Sequence, residues 1–210
     1  MLDFLKKLTD PQSIIHYGGL WLLVFVVFAE TGLFIGFFLP GDSLIFISGL
    51  ICATKPHLLD TSFGIVMLLL IMAAILGNIA GYWFGRKTGE HLFKREDSFL
   101  FKKRHLETTR IFYEKHGRKA LILGRFLPYI RTFAPILAGA IRLDFKRFML
   151  YNISGAVAWI GSISSVGYFL GREFPETENY LGYIVVGLIV VTTIPVAITY
   201  FRNRDKKKSV

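Results

Sequence analysis

Cysteine is almost missing from this chain. Cys52 is the only one in 210 residues, which excludes an internal disulfide and any cysteine-based metal cluster and leaves a lone buried thiol as the plain reading. Charge is sparse too, at 19% of residues against 53% hydrophobic, with a mean hydropathy of +0.49. A soluble domain with a solvated surface carries more charge than that. Histidine offers little: His91, His105 and His116 share one basic segment without metal-ligand spacing. No stretch resembles a linker to a second domain, so one compact unit is expected. A signal peptide is not evident at Met1–Pro11, which mixes Leu2, Phe4, Leu5 and Leu8 with Asp3, Lys6, Lys7 and Asp10 in the manner of a short amphipathic helix.

What is present is length of apolar run. Phe63–Gly85, Phe148–Gly171 and Tyr180–Phe201 are uncharged, and each reaches the roughly 20 residues that cross a hydrocarbon core of about 30 Å. The expected class is an all-α polytopic membrane protein. Ile14–Ala53 is apolar apart from His16, Glu30 and the Pro40–Ser43 set; it reads either as a hairpin or as a long helix with a half-depth return. Arg86–Lys119 holds eleven Lys/Arg against five Asp/Glu with scattered Leu, Ile and Phe, a pattern of interfacial helices under the inner leaflet. The net charge of +10 lies mostly beside apolar spans, where topology explains it without nucleic acid.

Loop charge sets the topology. Arg86–Lys119, Arg142–Arg147 and the tail Arg202–Lys208 are basic and therefore cytoplasmic, while Arg172–Asn179 is acidic and outside. The two basic connectors share a side only if Ala120–Ile141 enters and leaves by one face, as a re-entrant hairpin. That stretch also holds Arg125, Arg131, Pro128 and Pro135. Each proline removes a backbone donor, so a straight helix is not expected there, and broken backbone survives at bilayer depth only when protein or a wet cavity covers it.

An internal repeat points the same way. G-F-F-L-P at Gly36–Pro40 returns as G-R-F-L-P at Gly124–Pro128, S-G-L-I at Ser48–Ile51 as A-G-A-I at Ala138–Ile141, and G-Y-W-F-G-R at Gly81–Arg86 as G-Y-F-L-G-R at Gly167–Arg172, at offsets of 88, 90 and 86. The expected layout is a single membrane domain: residues 14–85 as first repeat, 86–119 as cytoplasmic segment, 120–171 as second repeat, 180–201 as last span and 202–210 as tail. A hairpin plus one span makes each repeat, the second inverted on the first, as in many secondary transporters.

Four ionisable residues then fall within the hairpins: Glu30 and Asp42 in the first, Arg125 and Arg131 in the second. Intramembrane charges usually mark substrate or ion pathways. Arginine at both cationic positions suits a carboxylate or phosphate partner, and the two acids are candidates to load and release protons during a cycle. Around them, Gly36, Pro40, Gly41, Ser43, Gly124, Pro128, Thr132, Pro135 and Gly139 are expected to shape the hairpins. A purely structural reading has the four charges compensating one another, with Asp42 or Ser43 capping a half-helix. Trp21, Trp83 and Trp159 read as packing or anchoring residues, and Asn152 and Gly155 as helix-packing ones. No His or Cys nucleophile stands beside a base in the hairpins, which disfavours a lipid phosphatase or transferase.

The segments E-T-G-L-F-I-G-F-F-L-P-G-D-S at Glu30–Ser43, G-R-F-L-P-Y-I-R-T-F-A-P-I-L-A-G at Gly124–Gly139 and N-I-S-G-A-V-A-W at Asn152–Trp159 resemble the DedA family of bacterial inner-membrane proteins, also called the SNARE-associated or VTT-domain family. The resemblance runs from about Tyr17 to Phe201. It implies opposed re-entrant hairpins, an acidic pair at Glu30 and Asp42, and an arginine pair at Arg125 and Arg131. It further implies movement of lipids between leaflets, undecaprenyl phosphate among them, with dependence on the proton-motive force. The expected substrate is a lipid phosphate, with protons as coupling ions, no cofactor, no metal, no catalysis, and a homo-oligomer left open. The expected location is the bacterial inner membrane, multi-pass, with a cytoplasmic C-terminus.

Overall fold

A computed structural model describes residues 11–32, 41–94 and 128–174, and among them every regular element is helical. In chain order these are α1 (Pro11–Gly32), α2 (Gly41–Thr54), a single 3₁₀ turn at Pro56–Leu58, α3 (Phe63–Lys94), α4 (Pro128–Ala140) and α5 (Phe145–Glu173). The expected interfacial segment beyond Lys94, the last span Tyr180–Phe201 and the basic tail lie outside the described residues.

Among the described residues, two helices have the length and composition to cross a bilayer, Phe63–Thr88 and Phe145–Glu173. Their outward faces carry Ile65, Leu68, Met72 and Leu76 on α3 and Leu150, Ile153, Val157 and Phe169 on α5, all exposed. Apolar residues three and four apart on an exposed face fit a helix solvated by lipid rather than water. Trp21 and Trp83 are exposed as well, in keeping with an anchoring role.

The other helices are short. Gly19 breaks α1 with φ +54°, a conformation that glycine adopts without steric cost. The apolar arm after it, Gly19–Gly32, and α2 at 14 residues each extend only about 21 Å at 1.5 Å per residue. Among the described residues, neither apolar helix of Ile14–Ala53 has the length of the two candidate spans. α4, at 13 residues, is shorter still.

Several boundaries differ from those expected. α3 continues past Gly85 to Lys94, because nothing in R-K-T-G-E-H-L-F-K breaks a helix strongly; the first part of the expected interfacial segment is thus an extension of the span. α5 begins at Phe145 rather than Phe148, because Asp144 caps it by accepting from the Arg147 N–H at 2.9 Å. The prolines do less damage than expected. Pro128 opens α4, where its missing N–H costs nothing, and Pro135 sits inside a continuous helix.

The core lies where α1, α2, α3 and α5 meet, around Leu23, Val27, Leu44, Ile47, Leu70, Ala74, Trp159 and Ile160, with Cys52 buried at its edge. The helix partnerships are reciprocal: α2 packs most extensively on α5, and α4 on α3. In sequence terms, the short helix of each repeat lies against the long helix of the other. Backbone approach at both interfaces runs through glycine. A Cβ on Gly49 would strike the Ser164 carbonyl and one on Gly167 the Phe46 carbonyl; at the other interface, Gly139 faces the Tyr82 carbonyl and Gly85 the Ile136 carbonyl. Small residues at such crossings let helices associate in lipid, where burying apolar surface gains nothing. Two of the three matched sequence segments are therefore these two interfaces.

Candidate functional site

Three ionisable side chains meet in the interior. Glu30 comes from the last turn of α1, Asp42 from the first turn of α2, and Arg131 from the first turn of α4. The Arg131 guanidinium donates from Nη2 to Glu30 Oε1, and from Nη1 to Asp42 Oδ1 at 2.6 Å. Side-chain exposure is 4% for Arg131 and 3% for Glu30, against 20% for Asp42. Asp42 is thus the most exposed member of the cluster. α2 begins at Gly41, so Asp42 stands inside the first turn, and its Oδ1 is spent on tertiary partners; the capping role weighed for it is not what the geometry shows.

Trp159 packs in the core as expected, and it also completes the cluster. Its indole Nε1–H donates to Asp42 Oδ1 at 3.0 Å, and its ring lies 4.3 Å from the Arg131 guanidinium carbon. A buried indole N–H needs an acceptor, and a desolvated cation over a tryptophan face gains on the order of 2 kcal/mol. Four helices, α1, α2, α4 and α5, therefore converge on one guanidinium.

Backbone shape fixes the carboxylates. The Glu30 carboxylate lies against Gly41, where any Cβ would overlap it, and its Oε2 has no well-formed hydrogen bond. The turn that carries Glu30 is held by the α1/α3 crossing, where Gly32 and Gly77 touch backbone to backbone. Ser43 and Thr132, beside Asp42 and Arg131 in sequence, are buried. Gly139 serves the α3 crossing rather than the cluster, and Pro135 lines a small cavity next to Arg131. Arg125, Gly36, Pro40 and Gly124 lie outside the described residues.

A second polar contact was not foreseen. Asn78, in the middle of α3, donates to Asn152 Oδ1 at 2.9 Å, and Asn152 donates to the Ile75 carbonyl at 3.1 Å. Asn152 thus packs α5 on α3, as its position suggested. Asn152 and Trp159 are seven residues apart, two helical turns, so one face of α5 carries both polar contacts. An amide inside an uncharged run was the available signal for Asn78.

Among the described residues no group of His, Cys, Asp and Glu is arranged to hold a metal ion. The chemistry that this cluster offers is electrostatic: a fixed cation, two acids that share it, and an aromatic face.

Comparison with known proteins places this arrangement. Residues 20–169 match the VTT domain. The chain is 39% identical over 208 residues to Protein DedA of Escherichia coli strain K12, covering 97% of this chain and 94% of that protein. It is 38% identical over 192 residues to an uncharacterized membrane protein of Mycobacterium leprae, covering 90% and 82%. It is 33% identical over 196 residues to the inner membrane protein YqjA of Escherichia coli strain K12, covering 91% and 85%. No solved structure matches. The chain belongs to the DedA family of VTT-domain membrane proteins.

Proposed function

We propose that this protein is a lipid transporter that moves a phosphate-bearing lipid between leaflets, with undecaprenyl phosphate the first candidate. One observation carries the reading: a buried arginine is held on four converging helices by two acids and an indole, inside an otherwise apolar assembly. A guanidinium so placed is an anion-recognition group, and charges at bilayer depth are characteristic of pathways. The short arms α1/α2 and α4 act as re-entrant hairpins entering from opposite faces, and the lipid tail stays in the bilayer while the head group passes the cluster. Glu30 and Asp42 neutralise Arg131, so their protonation strengthens its hold on phosphate and couples transport to the proton gradient. The protein sits in the inner membrane as a multi-pass protein with a cytoplasmic C-terminus and performs no covalent chemistry.

The test is reconstitution into liposomes with labelled undecaprenyl phosphate and, in parallel, labelled phosphatidylethanolamine, comparing wild type with Arg131→Ala. Movement of undecaprenyl phosphate that the variant loses is the expected result. Movement of phosphatidylethanolamine instead assigns a phospholipid flippase or scramblase, equal movement with both proteins removes Arg131 from the pathway, and release of inorganic phosphate points to an enzyme. A second reading, a proton-coupled antiporter of cations or cationic drugs, is favoured by one feature: two carboxylates face one guanidinium in the described cluster. Ion flux without lipid movement selects it.

A further inference from the structure

Arg131 is not fully used by its ion pairs. Nη1 and Nη2 serve Asp42 and Glu30, while Nε is buried and has no partner among the described residues. Arg131 also lines a small cavity of ≈ 10 Å³, together with Asn78, Ala134, Pro135, Phe148, Tyr151 and Asn152. That is room for about one water-sized atom group. The carboxylates arrive from α1 and α2, whereas the cavity walls belong to α3, α4 and α5. The cavity therefore meets Arg131 from helices other than the two that bring the acids.

The walls suit an oxygen. Asn78 and Asn152 are tied to each other and to the Ile75 carbonyl, which fixes a polar surface. Tyr151 is half-buried while Phe148 and Asn152 are buried, which puts the mouth at Tyr151, about 9 Å along α5 from Phe145.

We propose that this cavity is an oxyanion subsite: it takes one oxygen of a phosphate group onto Arg131 Nε while Glu30 and Asp42 still hold the other two nitrogens. This rests on the lipid-phosphate reading and adds a place of first contact. The phosphate is that of a lipid monoester or free phosphate. Two acids already face Arg131, so removing one charge with Glu30→Gln strengthens anion binding.

The test uses Trp159 as reporter, because its ring stacks on Arg131. With Trp21→Phe and Trp83→Phe it becomes the only tryptophan of the three. The purified full chain in detergent is titrated with farnesyl phosphate, inorganic phosphate and farnesol at constant ionic strength, following Trp159 fluorescence. Farnesyl phosphate is expected to saturate, inorganic phosphate to bind more weakly at the same site, and farnesol to give no saturable change. Ala134→Val, whose two extra methyls fill the cavity without touching either acid, is expected to weaken binding by at least about tenfold. Leu137→Met, on the same helix but outside the cavity walls, is expected to bind as wild type does. Full binding by Ala134→Val overturns the subsite and leaves the lipid-phosphate reading intact. Equal loss in both variants also overturns it, since the loss then follows disturbance of α4 rather than cavity volume. Binding of inorganic phosphate alone keeps the subsite and removes the lipid reading; binding of neither phosphate removes both.

Discussion

Whether the buried charges hold helices together or do something further is decided by a double-mutant cycle on Glu30 and Arg131. Arg131→Met alone leaves the Glu30 carboxylate, 3% exposed, without a counter-charge, and breaking one side of a buried pair costs about 3–5 kcal/mol. Glu30→Leu alone is milder, because Arg131 keeps Asp42; a lost charged hydrogen bond costs about 1.5–3 kcal/mol. The double variant removes both charges and fills their space with apolar atoms, a replacement that is often neutral. Asp42 remains partly exposed and keeps the Trp159 N–H. The single costs sum to about 4.5–8 kcal/mol, so a near-neutral double variant puts the coupling energy at about 4.5–8 kcal/mol, measured by reversible unfolding in micelles of rising dodecyl sulfate fraction and followed by far-UV circular dichroism. Single costs that add to within about 0.5 kcal/mol would falsify the claim that these side chains form one buried unit. The same double variant, folded but uncharged, then goes into liposomes. Loss of lipid movement despite restored stability separates transport from scaffolding, and retained movement returns the charges to a purely structural role.

Three further outcomes follow from particular contacts. Gly85→Ala drives a Cβ onto the Ile136 carbonyl and should lower stability in the same micelle assay by about 1–3 kcal/mol, whereas Gly161→Ala, with nothing within 4 Å, should be neutral or gain up to about 1 kcal/mol of helix propensity. Asn78→Leu removes the hydrogen bond that Asn78 donates to Asn152 Oδ1 and should cost about 0.5–1.5 kcal/mol, while the pair Asn78→Leu and Asn152→Leu should recover most of that loss. In a Cys52→Ala background, a cysteine at Glu176 should react with a membrane-impermeant maleimide on intact cells and one at Lys103 should not, as the loop charges require.

The sequence made the long elements legible because length in an apolar run is a bulk property. Phe63–Gly85 and Phe148–Gly171 became α3 and α5 with only their ends displaced, and those ends depend on local details: the Asp144 side chain at one, the lack of a breaker after Gly85 at the other. Gly19 escaped notice because a lone glycine in a helical pattern signals nothing until its φ is known. Glu30, Asp42 and Arg131 were legible as charges out of place. Trp159 was not, since its indole gains a partner only once α2 delivers Asp42 across 117 residues of chain. Nor did Pro135 declare itself, because a proline inside a short helix is tolerated when neighbours cover the carbonyl it leaves free.

The pairing of Asp42 with Arg131 has a deeper source in the repeat. The two residues are 89 apart, between the offsets that relate the matched segments, and each stands in the first turn of the short helix of its repeat. They stand within one residue of corresponding positions at the offsets of 88 and 90, and they bind each other. Repeats that exchange partners reciprocally, as α2/α5 and α4/α3 do, behave like an isologous interface, in which a residue near the axis meets its own counterpart. Like charges there would repel across a few ångströms; an acid in one copy and an arginine in the other turn the same meeting into a bond. Glu30 breaks the equivalence by adding a second acid on the arginine's side. The exchange Asp42→Arg with Arg131→Asp keeps the sum of the pair but sets the new carboxylate at position 131 against Glu30, two buried acids in contact, and should therefore fail to give a stable protein. Adding Glu30→Gln removes that repulsion and should restore a folded monodisperse protein by size-exclusion chromatography. A swapped pair that folds equally well with Glu30 intact would mean that Glu30 is not facing position 131 at all.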